Sequence, residues 1–234
     1  MSSQSSATAE TSLSGTRLVV IAFMAVWFVA ALGVSLFGLL RAGPSTLPIP
    51  VGVAVVVPLL LGVLAYRRSS RFRQLLFRAD LRWLIGVQLW RVVGAEFMIY
   101  YALNRLPASF ALPAGIGDVL VGLAAPVVAV VAASGTRAAR GIVIGWCIVG
   151  IADLVLAVTM GVLNAPGRFG VLAGAVTTAP MLELPLSLIP TFFLPMSILL
   201  HFIVLRRSAE IGRARGIPTR LGLGSARSTM PQGS

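Results

Sequence analysis

Lysine is absent from this 234-residue chain, cysteine and histidine occur once each, and acidic residues number only seven. Each shortage closes off a class of function. With a single thiol, Cys147, no intrachain disulfide and no thiolate metal site can form. With a single imidazole, His201, a haem or zinc centre lacks its usual partner ligands. No cofactor and no metal are therefore expected. The chain also lacks a nucleophile elbow, a P-loop, a His-Glu-x-x-His pair and an aspartate-rich pair of the kind that holds a magnesium diphosphate. Charged residues of any sort are scarce, at 11% of the chain, where soluble domains carry about 25%.

What fills the space is apolar: 57% of residues are hydrophobic, which marks a polytopic membrane protein. Six runs are long enough to cross a hydrocarbon core of about 30 Å as helices. They lie near residues 18–40, 47–66, 83–104, 110–133, 141–163 and 181–205. The expected fold is an all-α bundle of six transmembrane helices over residues 18–205. A polar Ser/Thr-rich tail (1–17) precedes it and a basic Arg/Gly/Ser-rich tail (206–234) follows, and both tails are too poor in apolar residues to fold alone. The first run is too long for a signal-peptide core of 7–15 residues.

All nineteen cations are arginines, and the net charge is +12. Their placement excludes nucleic acid as a partner, because they cluster between apolar runs without the interleaved aromatics of a base-stacking platform. It also sets an orientation. With the N-terminus inside, fifteen arginines fall on the cytoplasmic side, three on the other (Arg41, Arg105, Arg168), and Arg91 falls within a span. Such a bias places both termini in the cytoplasm of a bacterial inner membrane. The outer three stand 64 and 63 positions apart, each beside Pro or Gly, a spacing that fits either a threefold hairpin repeat or simply six helices of similar length. Between Arg67 and Arg82 six arginines alternate with Phe72, Leu75, Leu76, Phe77 and Leu81. This stretch reads either as an amphipathic segment on anionic lipid head groups or as a plain positive-inside anchor.

Within the spans sit Glu96, Asp118 and Asp153. At about 1.5 Å per residue they lie roughly 20, 22 and 18 Å from the cytoplasmic boundary, in one layer, with Arg91 about one and a half turns below. Intramembrane charge is a functional hypothesis by default. On the fourth helix Ala111, Gly115, Asp118, Gly122 and Ala125 form a small-residue stripe that admits a neighbouring helix. On the fifth, Gly150, Asp153, Ala157 and Asn164 repeat the pattern, and on the third Gln88, Arg91 and Glu96 share a broad arc. The sixth is the most polar, with Glu183, Ser187, Thr191, Ser197 and His201 on one face. It also contains Pro185, Pro190 and Pro195, each of which frees a carbonyl four residues earlier. Three carboxylates against one guanidinium would leave a costly buried excess of negative charge. Protons or a bound cation must make up the difference, unless Arg91 pairs with one acid and the others are protonated and only lock helix register.

The run Arg105-Leu106-Pro107-Ala108-Ser109-Phe110-Ala111-Leu112-Pro113-Ala114-Gly115-Ile116-Gly117-Asp118 resembles a segment of uncharacterised bacterial integral membrane proteins of this size. The resemblance implies a bacterial membrane setting and carries no activity. Three functions remain open. The first is a small permease or proton/cation-coupled transporter subunit, working alone or as a homo-oligomer. In it Glu96, Asp118, Asp153 and Arg91 are the coupling layer, and Gln88, Glu183, Ser187, Thr191, Ser197 and His201 line the pathway. The second is an intramembrane acid catalyst on a lipid or isoprenoid substrate. The third is a structural or assembly protein.

Overall fold

A computed structural model of the chain describes residues 2–40 and 49–216. These residues are mostly helical, with no strand among them. The α-helices are α1 (Ser2–Leu36), α2 (Ile49–Arg68), α3 (Ser70–Arg78), α4 (Leu81–Gly86), α5 (Ala95–Ala102), α6 (Ala108–Ala133), α7 (Arg137–Leu163) and α8 (Leu194–Gly216). Five stretches are long and apolar enough to cross a membrane: Gly15–Leu36, Ile49–Arg68, Ala108–Ala133, Arg137–Leu163 and Ile189–Glu210. Large apolar side chains such as Leu18, Leu120, Val130 and Val155 cover their outward surfaces, the inverse of a soluble protein, where such exposure is limited. The chain is therefore a membrane-embedded helical bundle. Helix α1 starts at Ser2, inside the stretch read from sequence as a polar tail; Arg41 and the final residues 217–234 lie outside the described residues.

The expected third span differs from a plain helix. It runs from Leu81 to Ala102 as α4, an eight-residue 3₁₀ segment (Val87–Gly94) and α5. Runs of 3₁₀ beyond 3–4 residues are uncommon, and packing explains this one. Ile85, Gln88, Arg91, Gly94 and Phe97 are all buried, and they recur at every third residue. At three residues per turn such a row stays straight, whereas at 3.6 per turn it would drift by about 60° with each step. The tighter winding keeps one row facing α6, against which this segment packs most closely.

The expected sixth span is also corrected. Helix begins only at Leu194, preceded by one wide π-type turn (Ile189–Phe193); residues 164–188 form turns and a short 3₁₀ piece (Ala179–Leu182). The prolines are the cause. Pro185 disfavours helical backbone at Leu184 before it, and Pro195 has no N–H to give to the Thr191 carbonyl. The indole of Trp27 donates to that carbonyl instead, at 3.1 Å. Its ring packs on Phe192 at 4.8 Å, which attaches α1 to the start of α8.

The 164–188 segment is held down by Asn164, which is fully buried. Its Oδ1 accepts from Ser109 Oγ at 2.6 Å and its Nδ2 donates to the Met160 carbonyl at 2.9 Å. Thr178 returns two bonds, from its N–H to the Asn164 carbonyl at 3.0 Å and from its hydroxyl to the Gly161 carbonyl at 2.8 Å. At the arginine-rich end, α3 lies across the ends of α1 and α2, with Phe72, Leu75, Leu76 and Phe77 half-buried and Arg71 and Arg78 exposed. Arg73 is drawn away from solvent and donates to the carbonyls of Tyr66 and Arg67 at the end of α2. Arg207 of α8 donates to those of Leu76 and Ala79. Asp80 caps α4 by accepting from the Arg82 N–H at 2.9 Å, and its bond from the Arg82 guanidinium holds its carboxyl below the usual range.

Asn164→Ala leaves the Ser109 hydroxyl without its acceptor and takes one of two donors from the Met160 carbonyl, which keeps the Asn164 backbone N–H, at a cost of about 1–3 kcal/mol. Thermal unfolding in detergent should show the loss, with Asn164→Ala well below Thr159→Ala, whose hydroxyl is exposed.

Candidate functional site

Arg91 is the largest fully buried side chain among the described residues. The 3₁₀ row carries it into the space between α6, α7 and α8, where its donors meet four acceptors. Nε donates to Asp118 Oδ1 at 2.7 Å and Nη2 donates to Asp153 Oδ2. Nη1 reaches the Gly150 carbonyl and His201 Nε2, both at 3.3 Å. A guanidinium can only donate, so His201 must receive that bond through a lone pair on Nε2. Its proton then sits on Nδ1 and the ring is neutral. Nδ1 has no hydrogen-bond partner among the described residues, and the ring lies against Trp146 at 4.8 Å.

Glycines make the close approach possible. A Cβ on Gly117 of α6 would collide with the Asp153 carboxylate, one on Gly94 with Asp118, and one on Gly150 with the His201 ring. Each of these three side chains thus occupies a notch in the neighbouring segment where only a hydrogen stands. Of these three only Gly150 belongs to a small-residue stripe read from sequence; in the fourth-helix stripe it is Gly115 and Gly122 that lie against the backbone of the 3₁₀ segment, at the Gly94 carbonyl and the Val92 nitrogen.

A second polar pair lies on the same 3₁₀ row. Gln88 donates to the Ser197 carbonyl at 3.2 Å and accepts from Ser197 Oγ at 2.9 Å and Trp90 Nε1 at 3.2 Å. Thr191 donates to the Ser187 carbonyl at 2.7 Å, while the buried Ser187 hydroxyl has no partner among the described residues. Of the residues singled out from sequence, Arg91, Asp118, Asp153 and His201 meet in one network, and Gln88 and Ser197 form a pair. Glu183 is exposed at the far end of the bundle. Glu96 is half-buried and makes no hydrogen bond or ion pair among the described residues. Their spacing of five residues is the reason: it turns Glu96 about 140° from Arg91 even in a plain α-helix, and with three 3₁₀ and two α steps about 200° around the segment.

Above the network, in the half of the bundle away from the arginine-rich end, lies a cavity of about 170 Å³. Asp118 lines it, together with the rings of Trp90, Phe97, Phe110 and Phe169 and the side chain of Arg168. The Phe97 and Phe110 rings touch at 5.3 Å and Trp90 stacks on Phe193 at 4.5 Å, so the aromatic wall is braced. Sequence reasoning missed this wall. Its members come from separate segments, and an aromatic residue in an apolar span carries no signal of its own.

Fold and network together define a membrane-embedded helical protein with an internal Arg–Asp–Asp cluster beneath an apolar, aromatic-walled cavity. The chain belongs to the family described as "Domain of unknown function (DUF8737)", whose match covers residues 48–208. That range takes in every member of the network and leaves out α1. No curated protein and no solved structure matches the chain.

Removing Arg91 strands two carboxylates in a dry interior. Arg91→Met should therefore destabilise the protein by about 3–5 kcal/mol, read as a loss of thermal stability in detergent at neutral pH. Adding Asp118→Asn and Asp153→Asn to Arg91→Met should recover most of the loss, because the uncompensated charge goes with them.

Proposed function

We propose that the protein is a small proton- or cation-coupled permease of a bacterial cytoplasmic membrane, with Asp118 and Asp153 sharing Arg91 as its coupling group. One observation supports this reading above the rest: Asp118 lines the cavity while bonded to a guanidinium that is itself fully buried. A ligand entering the cavity meets a carboxylate whose charge is already shared with a second acid. Any change of proton or cation on one acid is felt by the other through Arg91, which is how intramembrane acids couple binding to ion movement. Glu96 and Glu183 are left outside the coupling group.

In this reading the stretch Leu81–Ala102 serves as the sixth span. Its mixed winding gives it a length of about 37 Å, enough for a core of about 30 Å. Both termini face the cytoplasm, as the arginine distribution favours. The exposed arginines of α3 lie on anionic head groups of that leaflet, with Trp83, 78% exposed, at the membrane interface beside them. The apolar lining of the cavity favours a second reading, an acid catalyst acting on a lipid or isoprenoid. Such an enzyme uses Asp118 as a proton donor in a dry pocket.

Water access separates the two. Ala157 lines the cavity, so Ala157→Cys, with Cys147 replaced by Ala, should react with a membrane-impermeant maleimide added from outside intact cells. The permease reading expects labelling that slows when the reaction is run at a pH that changes the state of the acid pair. Complete protection from the aqueous reagent, with labelling by a lipid-soluble maleimide, contradicts the permease and supports the enzyme.

A further inference from the structure

The charge count around Arg91 does not close. The groups that face Asp118 are Arg91 from the 3₁₀ segment, Asp153 from α7 and, through Arg91, His201 from α8. His201 accepts from Arg91 and is neutral, so one guanidinium stands against two carboxyl groups. Glu96 makes no ion pair with any of them, and Arg168 lines the cavity that Asp118 also lines. With both acids ionised, one negative charge is uncompensated among side chains less than a tenth exposed. Asp118 meets Arg91 through Oδ1, and the residue, 6% exposed, lines the cavity. The cavity beside it presents four aromatic rings, whose faces attract cations, and otherwise mostly apolar side chains.

We propose that the cavity binds a small organic cation, a substituted ammonium with an apolar body. The cation's charge takes the place of the one proton that the Asp118–Asp153 pair otherwise holds. This assigns a substrate class to the permease reading and rests on it. The pair holds either the proton or the cation, since both together would leave a positive excess over Arg91 and the two carboxylates. Binding therefore releases a proton, and the two ligands are exchanged rather than carried together. A small anion is disfavoured: Arg168 would draw it toward the cavity, but the floor carries carboxylates. A neutral apolar ligand fits the walls and leaves the missing charge unsupplied.

Purified protein in lipid nanodiscs, titrated calorimetrically with three probes of similar size, tests this. The probes are benzyltrimethylammonium, its neutral carbon isostere neopentylbenzene, and the anion benzenesulfonate. Titrations in buffers of different ionisation heat count the protons released. The expected result is binding of the ammonium with release of about one proton, an affinity that falls about tenfold per pH unit on the acid side, and weak binding of the other two. Asp118→Asn should lose the ammonium and keep the neutral isostere, which also shows that the variant is folded. Equal or tighter binding of the neutral isostere by the wild type overturns the proposal. So does preferred binding of the sulfonate, or ammonium binding with no proton released. Flux in proteoliposomes under a pH gradient separates this inference from the reading beneath it. Cation binding with proton release but no flux removes the permease and keeps the site, while proton-coupled flux of a neutral solute does the reverse.

Discussion

One guanidinium shared by two carboxylates organises the bundle. Burying Arg91 fully is expensive, and the expense is offset only because its N–H groups find acceptors on α6, α7 and α8 at once. Each of those helices is thereby fixed in rotation and height relative to the 3₁₀ segment. Apolar packing alone is a weak guide in lipid, where the surroundings are as apolar as the side chains. A polar centre with directional bonds supplies the register that packing leaves open.

The rest of the interior accommodates that centre. The 3₁₀ winding of Val87–Gly94 stacks Gln88, Arg91 and Gly94 in a single row, so that one face delivers both polar side chains and a glycine notch. Gly117 and Gly150 open the matching notches on α6 and α7. Residues 165–182 are tied to α6 and α7 through Asn164 and Thr178 and line the cavity on the side away from the arginine-rich end. Charge at the floor, aromatic rings on the wall and an arginine at the opposite end follow from these few constraints.

Much of this was legible from residue order. Long apolar runs announced the helices, and rise per residue put Asp118 and Asp153 at one depth, where Arg91 does join them. The stripes around Gly115 and Gly150 pointed these acids at neighbouring helices. Glu96 was misplaced because an arc about 140° wide, which a five-residue step spans even at 3.6 residues per turn, was read as one face, and the 3₁₀ winding carries it further toward the opposite side. The winding depends on contacts with α6 that no local pattern records. The start of the last helix was set too early because Pro185 was read as a kink within a helix, whereas the backbone leaves helical geometry altogether before Ile189. His201 was read as one of several polar residues lining a pathway, apart from the coupling layer. Its bond to Arg91 depends on how α8 lies against α7, and that is tertiary information.

The central claim is that Asp118 and Asp153 act as one unit through Arg91. Infrared difference spectroscopy on protein in lipid, with aspartate labelled by carbon-13 and the pH stepped across the neutral range, reads it most directly. The account predicts an aspartate carboxyl signal that changes with pH, disappears or shifts strongly in both Asp118→Asn and Asp153→Asn, and is insensitive to Glu96→Gln. A signal that survives unchanged when either aspartate is replaced, or the absence of any pH-dependent aspartate signal in the wild type, contradicts it.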